Sequence, residues 1–252
     1  MKKEILQILK RYWGYNSFRE SQEDIIFSIL KGQDTLALLP TGGGKSICFQ
    51  VPILKLDGIG IVVSPLIALM NDQVRQLKNR GISAVSISSA MTNKEIDLIL
   101  ENSVNGKYKF LYLSPERLKN DMVQARMKRM NINLLAIDEA HCISQWGYDF
   151  RPSYLQISEI RKLLPEIPVL ALTATATPMV VEDIQDKLEF KKPRVFQKSF
   201  FRENLHYNIL KTEQKWTQTL EILKRIKGTG IIYSRNRKNT VEIAQCLWNG
   251  YR

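Results

Sequence analysis

The chain has 252 residues, 44% of them apolar and 25% charged, with a net charge of +12. This is the composition of a globular chain with a real core, and it leaves no apolar run long enough for a membrane span: the longest nearly uncharged stretch, 58–70, has 13 residues and contains Ser64-Pro65. The positive balance favours a polyanionic partner, nucleic acid above all, because neutralised phosphates release counterions; the basic residues are dispersed, so charge alone marks no groove.

In chain order, Met1-Lys2-Lys3-Glu4 is followed by only a short apolar patch before Lys10-Arg11, which argues against a secretory leader. Tyr12, Trp13 and Phe18 read as apolar cover for an N-terminal helix. Strands are expected at 35–39, 60–64, 83–88, 109–113, 134–138, 168–173 and 194–200, with helical periods between them. That alternation predicts a mostly parallel sheet wrapped by helices. One helix is expected to start with Ser64 as N-cap and Pro65 at its first position. Its inner face would carry Leu66, Leu69, Met70, Val74 and Leu77, and Gly81 would close it. Thr92 and Glu95 form a capping box for the next, and Thr177 caps a helix that opens at Pro178. After residue 200 the rhythm restarts, with strands expected at 205–210 and 230–234 and helices at 216–226 and 240–248. We place a boundary at 203/204: one α/β domain over 1–203, and over 204–252 the incomplete opening of a second lobe, too short to bury a core of its own. Cys48, Cys142 and Cys246 include no C-x-x-C pair, and the chain has only two histidines. Zinc is not expected in this segment, and a reducing, cytoplasmic setting fits.

Two segments carry chemistry. Pro40-Thr41-Gly42-Gly43-Gly44-Lys45-Ser46 follows a strand and opens a helix. Its glycines let backbone N–H groups turn toward a phosphate, and the helix N-terminus adds its positive end. Lys45 would reach the β- and γ-phosphates and Ser46 would hold Mg²⁺. The usual phosphate-loop pattern has glycine where Leu39 stands. The second segment, Asp138-Glu139-Ala140-His141, ends an apolar strand, at the edge where ligands of α/β sheets bind. Asp138 would bind Mg²⁺, and Glu139 would orient or deprotonate the attacking water. Both segments must converge for the reading to hold. The strand at 168–173 is expected beside Asp138, so Thr173 and Thr175 can bond His141 or Gln145 and relay the nucleotide's state.

These segments resemble the first motor domain of superfamily 2 helicases, and the RecQ family of DNA helicases in particular. Further residues that carry the resemblance are Phe18-Arg19-Glu20-Ser21-Gln22, Val63-Ser64-Pro65-Leu66-Ile67-Ala68-Leu69-Met70, Ser114-Pro115-Glu116-Arg117-Leu118 and Thr173–Thr177. The most diagnostic stretch is Cys142-Ile143-Ser144-Gln145-Trp146-Gly147-Tyr148-Asp149-Phe150-Arg151-Pro152, similar to the family's aromatic-rich loop. Ser199-Phe200-Phe201-Arg202-Glu203-Asn204-Leu205 and Gly230-Ile231-Ile232-Tyr233-Ser234 match the crossover into a second lobe.

The resemblance implies a RecA-like three-layer α/β/α fold and ATP-dependent 3′–5′ unwinding of DNA in repair and recombination. It implies ATP and Mg²⁺ at the site, single-stranded and duplex DNA as partners, no membrane, and a monomer. Tyr15, Arg19 and Gln22 would read adenine, with Thr41 to Ser46 on the phosphates. Lys45, Asp138, Glu139 and His141 would be catalytic. Trp146 and Phe150 would engage single-stranded DNA, since aromatic faces suit unstacked bases of any sequence. Arg151 would link DNA to hydrolysis with Gln145, Thr173 and Thr175, and Ser64, Pro65 and Arg117 would meet DNA phosphates. The family's arginine finger lies on a complete second lobe, so weak activity is expected of this chain alone. Two further readings are an RNA helicase and a nucleotide-gated binding module without catalysis.

Overall fold

The computed structural model describes residues 1–88, 90–199 and 204–250. Phe200, Phe201, Arg202 and Glu203, part of the crossover resemblance and of the expected boundary, lie outside them. The chain divides into two compact units, Met1–Phe200 and Phe201–Arg252.

The first unit holds all seven expected strands: β1 (Thr35–Leu38), β2 (Ile59–Val63), β3 (Ala84–Ile87), β4 (Phe110–Leu113), β5 (Ile132–Ile137), β6 (Val169–Thr173) and β7 (Arg194–Gln197). They form one sheet in the order β3-β4-β2-β5-β6-β1-β7, parallel at every pairing. Parallel strands must be joined by crossovers, and helices from both faces supply them. In the helix layers are α1 (Lys2–Trp13), α2 (Gln22–Leu30), α3 (Lys45–Lys55), α4 (Ile67–Asn79), α5 (Asn93–Val104), α6 (Asp121–Met127), α7 (Gln156–Leu163) and α8 (Pro178–Lys187).

Alternation along the strands sorts the core. Ala37, Val62 and Ala136 face Ile25 and Ile29 of α2, Phe49 and Ile53 of α3, and Met70 and Val74 of α4. Leu36, Ile61 and Leu135 face Ile96, Leu100, Val123, Ile157, Ile160 and Ile184 of α5 to α8. Helix α1 lies outside α2 and α3, with Ile5 and Leu9 buried against Ile26 and Val51. The helix caps at Thr92 and Thr177 form as expected.

The start of α4 differs from expectation. It begins at Ile67 with no side-chain cap. Ser64 prolongs the sheet ladder instead, its amide donating to the Leu113 carbonyl at 3.1 Å. That extended backbone turns Leu66 outward, 49% exposed.

At the opposite sheet edge, charge is buried. Asp34 and Arg161 are 3% and 4% exposed in their side chains and meet at 2.6 Å. The Asp34 carboxylate also accepts from the amides of Val169 (2.9 Å) and Lys191 (2.7 Å), while Arg161 donates to the Ile167 carbonyl. One carboxylate thus ties the starts of β1 and β6 to α7 and to the approach to β7. Asp34→Ala strands a buried guanidinium and two amides, so an equilibrium denaturation curve is expected to show a loss of about 3–5 kcal/mol.

In the second unit α9 (Lys215–Arg225) and α10 (Arg237–Gly250) form near their expected places. The strands expected at 205–210 and 230–234 do not. Among the described residues of this unit nothing offers them a ladder, and an extended segment without one has no bonded advantage over coil. Ile209 and Tyr233 accordingly stand 97% and 91% exposed. No helix among the described residues is long and apolar enough to cross a membrane.

Candidate active site

Because the strands are parallel, their C-terminal ends share one edge, and the two segments singled out in the sequence emerge there. Beyond β1 the chain needs a reversal tight enough to start α3 five residues after Pro40. Gly42 and Gly44 supply it at φ +78° and +76°, and Gly44 is the N-cap of α3. The first amides of α3 therefore point, unbonded within the helix, into the space above the sheet. Beyond β5, Asp138 is 7% exposed. Glu139 turns back through a left-handed φ of +49°, a conformation that costs a non-glycine residue about 1 kcal/mol or more.

The turn has a consequence. Glu139 Oε1 lies 3.8 Å from Lys45 Nζ, and Oε2 lies 3.4 Å from His141 Nδ1. Strand β6 sits between β1 and β5, so the lysine and the acidic pair face each other across one intervening strand. That strand delivers Thr173, whose Oγ1 is 2.9 Å from His141 Nδ1. The Asp138 carboxylate accepts from the Glu139 amide at 3.0 Å, and the buried Tyr154 hydroxyl donates to the Asp138 carbonyl at 2.8 Å. Burial, then the adjacent Glu139 charge, push the Asp138 carboxyl up to about 6, against the pull of Lys45. Burial also lowers the His141 imidazolium's pKa, so His141 is the neutral partner in this group.

A cavity of about 930 Å³ opens over these groups. Tyr15, Arg19, Gln22, Thr41, Gly42, Gly44, Lys45, Ser46, Asp138 and Glu139, all singled out from the sequence, line it. The lower part is anion-accepting; the upper part has an exposed ring at Tyr15. Arg19 and Gln22 are tied to the glycine loop: Arg19 Nη1 donates to the Gly42 carbonyl at 2.5 Å, and Gln22 Nε2 to that of Gly44 at 3.0 Å. Gln22 Oε1 accepts from the Arg19 amide at 2.9 Å. The adenine-side residues and the phosphate loop are therefore one hydrogen-bonded unit.

Sequence reasoning missed the far wall. Gln73 and Gln76 on α4 and Arg80 at its C-cap line the cavity, as do Trp13 and Leu69. Leu69 reads as plain core by helical spacing, which cannot tell a wall from an interior. Nothing in the sequence marked Tyr154.

The expected DNA-side residues fall on the same sheet edge with unequal freedom. Trp146 is 68% exposed, Phe150 half-buried, and Arg151 is paired with Asp149 at 2.8 Å. Arg117 Nη2 donates to the Ser88 carbonyl at 2.9 Å. The Ser64 hydroxyl is buried without a partner among the described residues, and its amide is already bonded to Leu113. Pro65 has no amide hydrogen, so a backbone donor at this turn comes first from Leu66. Gln145 is exposed. Thr175 stays exposed and meets Thr173 only through its backbone, the amide donating to Thr173 Oγ1 at 3.2 Å.

A parallel sheet flanked by helices on both faces, with a glycine loop and an acidic pair at its C-terminal edge, defines the RecA-like P-loop fold of nucleoside triphosphate-binding domains. Residues 19–184 match the family model for DEAD/DEAH box helicases. The chain belongs to that family and is a helicase motor domain; such helicases use ATP with a divalent metal. It is 45% identical over 242 residues to the "Probable ATP-dependent DNA helicase RecS" of Bacillus subtilis (strain 168), covering 94% of this chain and 48% of that one. To the ATP-dependent DNA helicase RecQ of Haemophilus influenzae it is 40% identical over 245 residues, 97% of this chain and 40% of the relative. The chain thus spans about half the length of these curated relatives, or less. Among solved structures, the DUF1998 helicase MrfA superposes with a TM-score of 0.71 at 17% identity, over 98% of this chain and 40% of MrfA, which speaks for the fold alone.

Proposed function

We propose that this chain is the nucleotide- and single-stranded-DNA-binding motor domain of a RecQ-type, ATP-dependent 3′–5′ DNA helicase. The observation that carries the reading is the convergence of Lys45 and Glu139, 3.8 Å apart, under one cavity that the adenine-side residues also line. The amides of the glycine loop and the start of α3 hold the phosphates, and Lys45 neutralises them from the side. The hydroxyl of Ser46 and the carboxylate of Asp138 are hard oxygen donors fitted to Mg²⁺. When bound, Mg²⁺ would neutralise charge on the phosphate oxygens. Glu139 orients a water for attack, in a position fixed by its strained turn. His141 and Thr173 carry the state of Glu139 to β6, while Arg151 and the aromatic-rich loop sit on the DNA side. Residues 204–252 are assigned to the opening of a second lobe, and the domain to a monomeric, cytoplasmic protein.

Fluorescence anisotropy with labelled oligonucleotides tests this: single-stranded DNA should bind, strengthened by the nonhydrolysable nucleotide with Mg²⁺, and should outcompete RNA of the same sequence. Preference for RNA would transfer the reading to an RNA helicase. The glycine loop gives a second prediction. A Cβ on Gly44 would fall 2.4 Å from Gln22 Nε2, at a φ of +76°. Gly44→Ala is expected to weaken nucleotide binding about tenfold, the equivalent of about 1.4 kcal/mol, and to lower the unfolding midpoint by a few degrees, since the left-handed φ costs alanine about 1 kcal/mol or more.

A further inference from the structure

The aromatic-rich loop closes on itself behind the acidic pair: the Arg151 amide donates to the Cys142 carbonyl at 2.9 Å. This return brings Asp149 Oδ2 to within 3.7 Å of the Cys142 sulfur, which is itself 3.8 Å from His141 Nε2. The three ligand atoms all lie within 4.8 Å of one another. We propose that His141 Nε2, Cys142 Sγ and Asp149 Oδ2 form a binding site for a borderline or soft divalent cation, of the Zn²⁺ or Cd²⁺ class, with a fourth position open to solvent.

The donor set supports that class. One sulfur and one imidazole select Zn²⁺ or Cd²⁺ over Mg²⁺ or Ca²⁺, which take oxygen. Two of the three spacings agree: ligand bonds of 2.0–2.3 Å around a tetrahedral ion put neighbouring donors about 3.3–3.8 Å apart, and the sulfur stands 3.7 and 3.8 Å from its two partners. The exposed Asp149 carboxylate must draw in to bring the third pair, within 4.8 Å, to that range. Ring orientation agrees as well. His141 Nδ1 is engaged by Thr173 Oγ1 at 2.9 Å and Glu139 Oε2 at 3.4 Å, which leaves Nε2 turned toward the thiol. An imidazole held by hydroxyl and carboxylate on its far nitrogen is the usual setting of a metal-ligating histidine. Access is from the Asp149 side, whose side chain is 53% exposed; Cys142 is buried. On binding, a metal–sulfur bond forms as the S–H bond breaks, and the proton leaves to solvent.

Arg151 competes for the same oxygen, its Nε and Nη2 lying 3.1 and 2.8 Å from Asp149 Oδ2. A cation here draws Asp149 away from Arg151, which connects the site to the segment carrying Trp146 and Phe150. The spacing of cysteines in the sequence argued against zinc; the loop's return supplies a carboxylate ligand that no cysteine count contains.

The test is Cd²⁺ titration of the full chain carrying Cys246→Ser, which removes the exposed thiol, followed by thiolate-to-cadmium ultraviolet absorption with Zn²⁺ as competitor. A single saturable equivalent at micromolar Cd²⁺ is expected. Cys142→Ser should abolish the band, Asp149→Asn should weaken binding at least about tenfold, and Arg151→Ala should tighten it. Asp138→Asn should leave the band intact, separating this site from the nucleotide's metal. A band that survives Cys142→Ser, or no saturation below millimolar Cd²⁺, overturns the proposal. If Cys142→Ser fails to fold, unchanged affinity in Asp149→Asn overturns it equally.

Discussion

Lys45→Ala is expected to lose nucleotide affinity by about 30- to 150-fold, the worth of a charge-assisted contact of about 2–3 kcal/mol. The side chain is 17% exposed, so its charge acts in a partly desolvated site where screening is weak. Removing it does more than delete one contact. Asp138 and Glu139 then stand unopposed at the mouth of the phosphate loop and repel the polyphosphate. Asp138, which Lys45 holds down, should also titrate still higher. Two measurements check this: equilibrium binding of a fluorescent ATP analogue, and the pH at which that binding is half lost. Unchanged affinity with an intact circular dichroism spectrum would remove Lys45 from the site.

Asp138→Asn should separate stability from function. The carboxyl of Asp138 titrates near 6 in the fold against an ordinary value of 3.8. Its protonated form therefore favours the folded state, fully so below about pH 4, and that contribution is lost as pH rises through 6. At pH 7.5 the wild-type chain carries the cost of a buried, ionised carboxylate, at most about 3 kcal/mol. Asparagine keeps the shape and the acceptor for the Glu139 amide without the charge. The variant should melt a few degrees higher than wild type at pH 7.5, with the gain shrinking toward pH 4. Mg²⁺-dependent nucleotide binding should fall at least about tenfold. In the wild-type chain the same titration makes Mg²⁺-nucleotide binding weaken as pH falls through 6, because proton and metal compete for one carboxylate. A variant no more stable than wild type at pH 7.5 would show that Asp138 is not costly where it stands.

Much of this site was legible in the sequence because its signals are local. A strand, glycines and a lysine within a dozen residues can only be a tight reversal into a helix. An apolar strand ending in two acids places them at the sheet's C-terminal edge whatever the rest of the fold does. Strands β1 to β6 were readable for the same reason, since each is a short run buried on both faces; β7 is an exposed edge strand. Ser64 shows where local reading fails. Ser-Pro before an apolar period reads as a helix start, but the neighbouring strand β4 offers its Leu113 carbonyl, and the ladder wins. The segments near 207 and 232 fail in the opposite way, apolar enough for strands yet without a neighbour to bond among the described residues.

By itself the sequence determined the layered class of the fold, the phosphate loop, the acidic pair and the family they belong to. Tertiary structure alone decided that β1 would lie on the other side of β6 from β5, that Glu139 would turn back onto Lys45, that α4 would wall the cavity, and that Asp149 would reach Cys142. Backbone propensity and apolar period act over a few residues, whereas strand order, the pKa of a buried carboxylate and the meeting of distant side chains depend on which surfaces exclude water together.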